Sequence, residues 1–423
     1  YQAFICHHKA GAGCLARLLK MKLSTGQYKV FIDTDDLVDL DCLFEIVMRS
    51  VEHLVILCTS EICMRPWCVG EMAVAKLAGV KATKVILAGY EDPPEHFIEN
   101  YESHTDPSVL YERGMRLSRI QDAFHWLANL PKITMPAQLS SLVCEDVCAN
   151  ITKFREARID FKEDACPETV TGAVIFLDVS NMEALASAYI IADMLRHLLV
   201  DDPGQMPRVL PAGHPLPRGT TLTMILLSRN VLQAKSFLEL LLQACSPSHS
   251  FIPVNVDPSF TFPIEEDIAT AERLLAGSTG DGDGDGESPD PEGIIGSVIR
   301  RLFKTICVSF QPSAYMSSEG ALKVKARELL QRMRLPGKWG ESAAAAVGTQ
   351  RRSASPTDSA PWSPASLVGD LAGASGPWLS SGPTEDNKVF AAASTGSWLH
   401  PAGTQQLVIG AASTGSWLHA SGT

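Results

Sequence analysis

Trp67 and Glu71 stand four residues apart in the run Arg65-Pro66-Trp67-Cys68-Val69-Gly70-Glu71. An apolar, strand-like stretch over 54–58 and a polar turn, Thr59-Ser60-Glu61, precede that run. A helical pattern through Met72, Ala75 and Leu77 follows it. Proline is tolerated in a first helical turn, where its missing N–H would have no partner anyway. If a helix opens near Pro66, the indole and the carboxylate share one face. They then meet at the mouth of a strand-to-helix turn, where open α/β sheets bind ligands. The plainer reading is a Trp packed on the sheet beside a solvated Glu.

The elements that must position this pair can be read from periodicity. Short apolar segments at 3–6, 29–32, 54–58 and 84–88 are rich in β-branched or aromatic residues, as strands are. Helical patterns lie between them: Leu15, Leu18, Leu19 and Leu23, then Leu43, Val47 and Val51, then the segment carrying Glu71. A helix over 140–155 closes the unit. Strands alternating with single helices imply right-handed crossovers and a parallel sheet.

Residues 170–312 repeat this plan in degraded form, with strand candidates at 173–177, 208–210, 222–227 and 251–254, an offset near 168. Ser60 and Glu71 are 11 apart, and so are Ser228 and Glu239 at the matching place. Lys235 stands where Trp67 stood. Only 16 residues separate Ala212 from Ser228, against 27 between Asp33 and Ser60, so the second helix is expected to be lost. The second unit therefore reads as a related fold with an eroded site. From 336 onward Ala, Ser, Gly, Thr and Pro dominate, and Ala-Ser-Thr-Gly-Ser-Trp-Leu-His occurs at both 393–400 and 412–419. Such composition buries too little apolar area to offset ordering entropy, so a disordered tail is expected over 336–423.

Composition excludes some classes. A net charge of −12 argues against a nucleic-acid surface, which needs clustered Lys and Arg. No apolar run approaches the roughly 20 residues that span a bilayer. The 11 cysteines follow neither a disulfide rhythm nor a usual zinc spacing, which fits reduced thiols in a cytoplasmic protein. The chain begins at Tyr1, directly in a strand-like run, as a fragment would.

Three blocks together resemble a TIR (Toll/interleukin-1 receptor) domain: Phe4-Ile5-Cys6-His7-His8-Lys9, then Val30-Phe31-Ile32-Asp33-Thr34-Asp35-Asp36-Leu37, then Trp67-Cys68-Val69-Gly70-Glu71. The resemblance covers roughly 1–155 in order and spacing. It implies a flavodoxin-like sheet with a long loop from Asp33 to about Cys42. It also implies either an assembly module or an NAD+ glycohydrolase with its catalytic carboxylate at Glu71. The pyridinium leaving group of NAD+ departs neutral and needs no proton. Ordinary glycosidases use a second carboxyl to supply one. A single carboxylate under the developing oxocarbenium ion is thus chemically sufficient. Trp67 would wall the site, His8 and Lys9 would meet phosphate or ribose, Asp33 and Ser60 would end strands on the same rim, and Leu43 would lie where the loop covers the ligand. Departures include Cys6 where TIR sequences usually carry Ser, His7 and His8 where an aromatic and Arg are common, and a loop without glycine. Loop histidines without a ligand, and a solvated Lys9, are the plainer readings of that segment.

Competing signals exist. Gly11-Ala12-Gly13-Cys14-Leu15-Ala16 fits the dinucleotide fingerprint, with Asp33 20 residues after Gly13, so a Rossmann-type oxidoreductase is a remote alternative. Four residues separate the strand from the first glycine, where that fingerprint wants an immediate turn. Asp281, Asp283, Asp285 and Glu292 match a calcium loop position by position, but Pro289, Pro291 and Gly277-Ser278-Thr279-Gly280 favour a Gly/Asp linker. Leu322, Ala326, Leu329 and Met333 form a stripe beside basic residues, suiting either a membrane or partner helix or one docked on the preceding unit.

The expected architecture is α/β: a flavodoxin-like open parallel sheet with helices on both faces over 1–157 and a linker over 158–169. A degenerate TIR-like unit follows over 170–312, with an acidic insertion at 278–293, then a basic amphipathic helix over 313–335 and the tail. The expected function is TIR-type signalling with NAD+ cleavage, NAD+ being substrate and no cofactor being required. The alternative is a non-catalytic scaffold. Expected partners are NAD+ and other TIR domains, including a homo-oligomer.

Overall fold

The computed structural model describes residues 1–36, 40–164, 173–200, 203–210, 213–244, 249–276, 291–314 and 317–334. The first sheet contains β1 (Ala3–His7), β2 (Val30–Phe31), β3 (His53–Cys58), β4 (Lys81–Ile86), β5 (Lys132–Thr134) and β6 (Ala157–Arg158). Its helices are α1 (Lys9–Thr25), α2 (Asp33–Asp36), α3 (Leu43–Ser50), α4 (Pro66–Ala78), α5 (Glu95–Glu99), α6 (Tyr101–His104), α7 (Ser108–Tyr111), α8 (Leu117–Ala128) and α9 (Ser141–Thr152). The second sheet contains β7 (Val174–Phe176), β8 (Arg208–Val209), β9 (Leu222–Leu227), β10 (Ser250–Asn255) and β11 (Val308–Ser309). With it go α10 (Met182–Leu198), α11 (Lys235–Gln243), α12 (Glu265–Ala276), α13 (Pro291–Phe303) and α14 (Glu319–Arg334).

All pairings are parallel, and the strand orders are 2-1-3-4-5-6 and 11-10-9-7-8. Counting strands within each repeat, both sheets follow the flavodoxin-like order 2-1-3-4-5, the first with an added edge strand. The repeat read from sequence is therefore a repeat of topology. The described residues between Val209 and Leu222 hold no helix, which matches the shortened crossover.

Some boundaries differ from expectation. The fourth strand, expected at 84–88, begins at Lys81, where pairing with His53 sets the register. Exposed Lys81 and half-buried Ala82 hid its start. The short β5, β6 and β11 gave too few residues for a period. β6 runs over the junction at 157–158 expected between unit and linker. The loop after β2 is helical at both described ends, α2 and the 3-10 turn Leu40–Cys42. Asp281, Asp283 and Asp285, the Glu292 side chain, and the tail lie outside the described residues.

The layers follow from alternation along the central strands. Ala3 and Ile5 of β1 enter a core shared with α1 and α9, whereas Phe4 and Cys6 enter a second core with α3, α4 and α8. Ile175 of β7 and Leu177 just after it join that same first core, while Val174 and Phe176 face α11, α12 and α13. The two sheets thus share one continuous core through α1, α9, α10 and α14. This explains why α1 is buried all round from Ala12 to Leu19 and α10 from Ala184 to Ala188: each lies between two layers. Small residues at Ala12, Gly13, Cys14, Ala16, Ala184, Ala186 and Ala188 leave room for that packing. The apolar stripe of the basic helix α14, Leu322, Ala326, Leu329 and Met333, is buried in it too.

Two carboxylates tie the repeats together. The α1 backbone departs from helical geometry at Ala12, so a fresh helical start follows. There the N–H groups of Cys14 and Leu15 donate to the Glu183 carboxylate of α10 at 2.7 and 3.1 Å. A Cβ on Gly13 would meet Ser313 Cβ at 2.8 Å. The glycine fingerprint is therefore explained by an internal anion and close chain packing. Likewise Asp164 accepts from Ser141 and Leu142 N–H at 2.9 and 3.3 Å, and from the Tyr189 hydroxyl of α10 at 2.8 Å. Both sheets belong to one compact unit.

Burial raises the Glu183 carboxyl from 4.5 to about 7, against the opposing pull of the Cys14 and Leu15 N–H groups. A raised folded-state value means the folded chain holds this proton more tightly than the unfolded chain. The stabilisation is complete below about pH 4.5 and is lost as pH rises through about 7. The rise corresponds to on the order of 3 kcal/mol. Denaturant unfolding of wild type and Glu183→Gln across this window should show wild type losing stability relative to the variant as pH rises. A constant difference between them would contradict the assignment.

Candidate functional site

The segment at the mouth of the first repeat folds as its residues dictate. Pro66 occupies the first turn of α4, and Gly79 ends it at φ 70°. The Gly79 and Val80 N–H groups return to the Lys76 and Ala75 carbonyls at 3.1 and 2.9 Å, closing the helix as a left-handed glycine cap does. One face of α4 buries Val69 and Met72, worth about 1.5–3 kcal/mol each against exposure. At Gly70 a Cβ would stand 2.4 Å from Phe44 Cζ and 2.8 Å from Leu110 Cδ2, so α3 and α7 approach α4 closely there.

Trp67 and Glu71 line a cleft of about 180 Å³ with His7, His8, Lys9, Asp33, Leu43, Arg65, Pro66, Cys68, Phe4 and Ile5. The half-buried Trp67 ring packs on Phe44, centroids 5.5 Å apart, and lies under the Arg113 guanidinium at 4.6 Å. Arg113 in turn pairs with Asp41. Glu71 is only 4% exposed, and its Oε2 is buried without a hydrogen-bond partner. Burial pushes its carboxyl well above the usual range, Cys68 and Asp33 add to the rise, and a Cys6 hydrogen bond and Lys9 oppose it.

Thiols surround that carboxyl. Cys6 Sγ, Cys68 Sγ and a Glu71 oxygen lie within 4.8 Å of one another, all buried. Cys68 Sγ donates to the His7 carbonyl at 3.3 Å, and Cys6 Sγ contacts the Cys68 carbonyl at 3.9 Å. Burial, chiefly, raises the Cys6 thiol well above its ordinary value. The described cysteines are free thiols.

The rim is polar. Lys9 Nζ meets Asp33 Oδ2 at 2.9 Å, and His7 Nε2 stands 3.9 Å from Asp33 Oδ1. His8 Nδ1 lies 3.2 Å from Glu61 Oε2 without hydrogen-bond geometry. Burial lowers both histidines, with Asp33 opposing for His7, and with Arg65 adding and Glu61 opposing for His8. They are therefore neutral imidazoles near pH 7, and neither contact is an ion pair there.

Of the residues singled out from sequence, Glu71, Trp67, His8, Lys9, Asp33 and Leu43 converge on this cleft. Ser60 does not. The turn closed by Ile62 N–H on the Thr59 carbonyl buries Thr59 and leaves Ser60 exposed. Leu43 is the buried first residue of α3 and forms wall, where a covering loop was expected. Arg65 and Cys68, in the same run, also line the cleft, although an Arg at a helix N-cap and a Cys beside Trp carry no motif in sequence. His7, expected in a loop, ends β1 and lines the cleft. In the second repeat the matching helix differs: Glu239 is exposed, with Lys235 Nζ 3.8 Å away. A charged lysine four residues before the carboxyl keeps it in solvent, where Trp67 walls off Glu71.

No protein-family model matches the sequence, and a search of curated proteins finds no match. Among solved structures, the TIR domains of the activated Roq1 resistosome, which recognises the pathogen effector XopQ, are 12% identical over 36% of this chain and 99% of that one, with a TM-score of 0.28. Tagatose-6-phosphate ketose/aldose isomerase from Escherichia coli is 10% identical over 71% and 82%, TM-score 0.18. A putative sugar-binding protein from Salmonella typhimurium LT2 is 9% identical over 70% and 88%, TM-score 0.18. None reaches 0.5, so these likenesses say nothing about what this chain does. Among the described residues no helix is long and apolar enough to cross a membrane.

Gly70→Ala should destabilise the chain by about 1–3 kcal/mol through overpacking against Phe44 and Leu110. Calorimetric melting measures this, and an unchanged melting temperature would show that Phe44 moves aside freely.

Proposed function

We propose that the first repeat cleaves the bond between nicotinamide and ribose in NAD+, with Glu71 as the carboxylate beneath the developing oxocarbenium ion, which water captures at the ribose C1′ with loss of a proton to solvent. The observation supporting this reading most is the Glu71 carboxyl, buried without a partner for Oε2, in a cleft walled by Trp67. A positively charged nicotinamide ring arriving beside this raised carboxyl favours its ionised form, and the ring departs as a neutral molecule, so no acid is needed to protonate it. A cleft of about 180 Å³ is smaller than the roughly 300–1,000 Å³ of whole-ligand pockets. It suits the reacting end of the dinucleotide, the phosphates lying outward past Arg65 and His8. Trp67, braced by Phe44 and Arg113, would stack on the ring. Asp33, held by Lys9, would accept from ribose hydroxyls. Exclusion of water by Leu43, Phe4 and Ile5 strengthens the carboxylate's action on a developing cation.

A second reading, an assembly module acting through TIR–TIR contacts, is favoured by one observation. The repeats already pair through equivalent helices, α1 and α10, each following the first strand of its sheet.

Incubating the full chain with NAD+ and measuring free nicotinamide distinguishes the two. Glu71→Gln should lower release about 100-fold or more, as loss of one electrostatic stabiliser does. Ser60→Ala, outside the cleft, should change it little. Undiminished release from folded Glu71→Gln would remove Glu71 from the reaction. No release from wild type across a range of chain concentrations would leave the assembly reading.

A further inference from the structure

We propose that Cys6, Cys68 and Glu71 form a binding site for a borderline-soft divalent metal ion, Zn²⁺ being the best match, with its fourth position open to the cleft. The placement rests on backbone geometry. Cys6 lies near the carboxyl end of β1, on the face turned toward α4, while Cys68 and Glu71 occupy successive turns of α4. Their ligand atoms fall within 4.8 Å of one another. A tetrahedral zinc site draws sulfur ligands to about 2.3 Å and carboxylate oxygens to about 2.0–2.2 Å of the ion. Side-chain rotation about fixed backbones can close that gap.

A second observation points the same way. Glu71 is 4% exposed and carries an Oε2 with no hydrogen-bond partner, an unusual condition for a buried polar atom. The sulfurs have only a weak alternative, their contacts to the Cys68 and His7 carbonyls. Cys68 and Glu71 line the cleft, which supplies an entry path. Two thiolates and one carboxylate select zinc over calcium or magnesium, which prefer oxygen alone. Three protein ligands with one position left for water or substrate is the composition of catalytic zinc sites. On binding, each Sγ–H and the carboxyl, where protonated, give up their protons to solvent as the metal bonds form. The sequence hid this site because its ligands are 62 and 3 residues apart and match no zinc spacing.

This inference does not depend on NAD+ cleavage, and its test reads metal directly. The full chain, reduced and stripped of metal, is titrated with Co²⁺ and then Zn²⁺. One Co²⁺ per chain is expected, with an intense thiolate-to-cobalt band in the near ultraviolet that Zn²⁺ abolishes. Cys6→Ser and Cys68→Ser should each weaken binding at least ten-fold and reduce the band. Cys63→Ser should leave both unchanged. Glu71→Gln, which preserves shape if a cysteine variant fails to fold, should weaken binding by a similar factor. Absence of the band in wild type, or its persistence at full affinity in Glu71→Gln and folded Cys68→Ser, would overturn the site.

Discussion

The Glu183 carboxylate seated on the interrupted start of α1 is the constraint around which the two repeats are arranged. Helix starts expose N–H groups that must find acceptors, and here the acceptor comes from the other repeat. That demand places α10 against α1 and leaves both helices buried on every side, α1 from Ala12 to Leu19 and α10 from Ala184 to Ala188, while Ser313 packs on Gly13. Arg17 reinforces it: 2% exposed, it donates to the Pro312 carbonyl at 2.9 Å and meets Asp35 at 2.6 Å. The end of the second sheet and the segment after β2 are thereby held to one side chain. Because α1 begins immediately after His7 and His8, the same anchor fixes the rim of the cleft.

Within that frame the site is built on a tension between burial and charge. Removing an ion from water costs several kcal/mol unless a partner compensates it. Glu71 has thiols and an indole around it, where a buried carboxylate would ordinarily find a cation. The cations nearby are engaged elsewhere, Lys9 with Asp33 and Arg113 with Asp41 and the Trp67 ring. A buried carboxyl left in this condition is a common feature of functional sites. Its second-repeat counterpart shows the alternative solution, since Glu239 is exposed beside Lys235 and carries no such tension.

How much of this was legible depended on the range of the interaction. Strands β1, β3 and β9 were readable because each is a run of five or six residues buried on both faces. The helix carrying Glu71 was readable from Pro66 and the spacing of its apolar residues. The repeat was readable because matching residues kept an offset. What escaped was long-range: Glu183 lies 169 residues from Cys14, and no local pattern marks a carboxylate as the cap of another repeat's helix. The glycine pattern from Gly11 to Ala16 coincides with a helix start whose N–H groups meet a carboxyl from inside the chain. Cys6 escaped for a like reason, since only the sheet register brings it to Cys68. Ser60 was misplaced because one residue of turn geometry decides between rim and solvent.

The two proposed occupants of the cleft follow from one property and exclude one another. A carboxyl with one oxygen, Oε2, left without a hydrogen-bond partner in a narrow hollow favours whatever positive charge can reach it. A pyridinium ring would approach from the open side, stack on Trp67 and use Glu71 alone. A zinc ion would draw in Cys6 from behind the cleft wall as well as Cys68, giving it three ligands where the ring finds one. Cys6 distinguishes them, since it is fully buried and absent from the cleft wall. It has no contact to offer an organic cation and serves the metal directly. Replacing that thiol therefore separates the two uses of a single carboxyl, leaving the indole wall and the acid in place while dismantling the deeper ligand set.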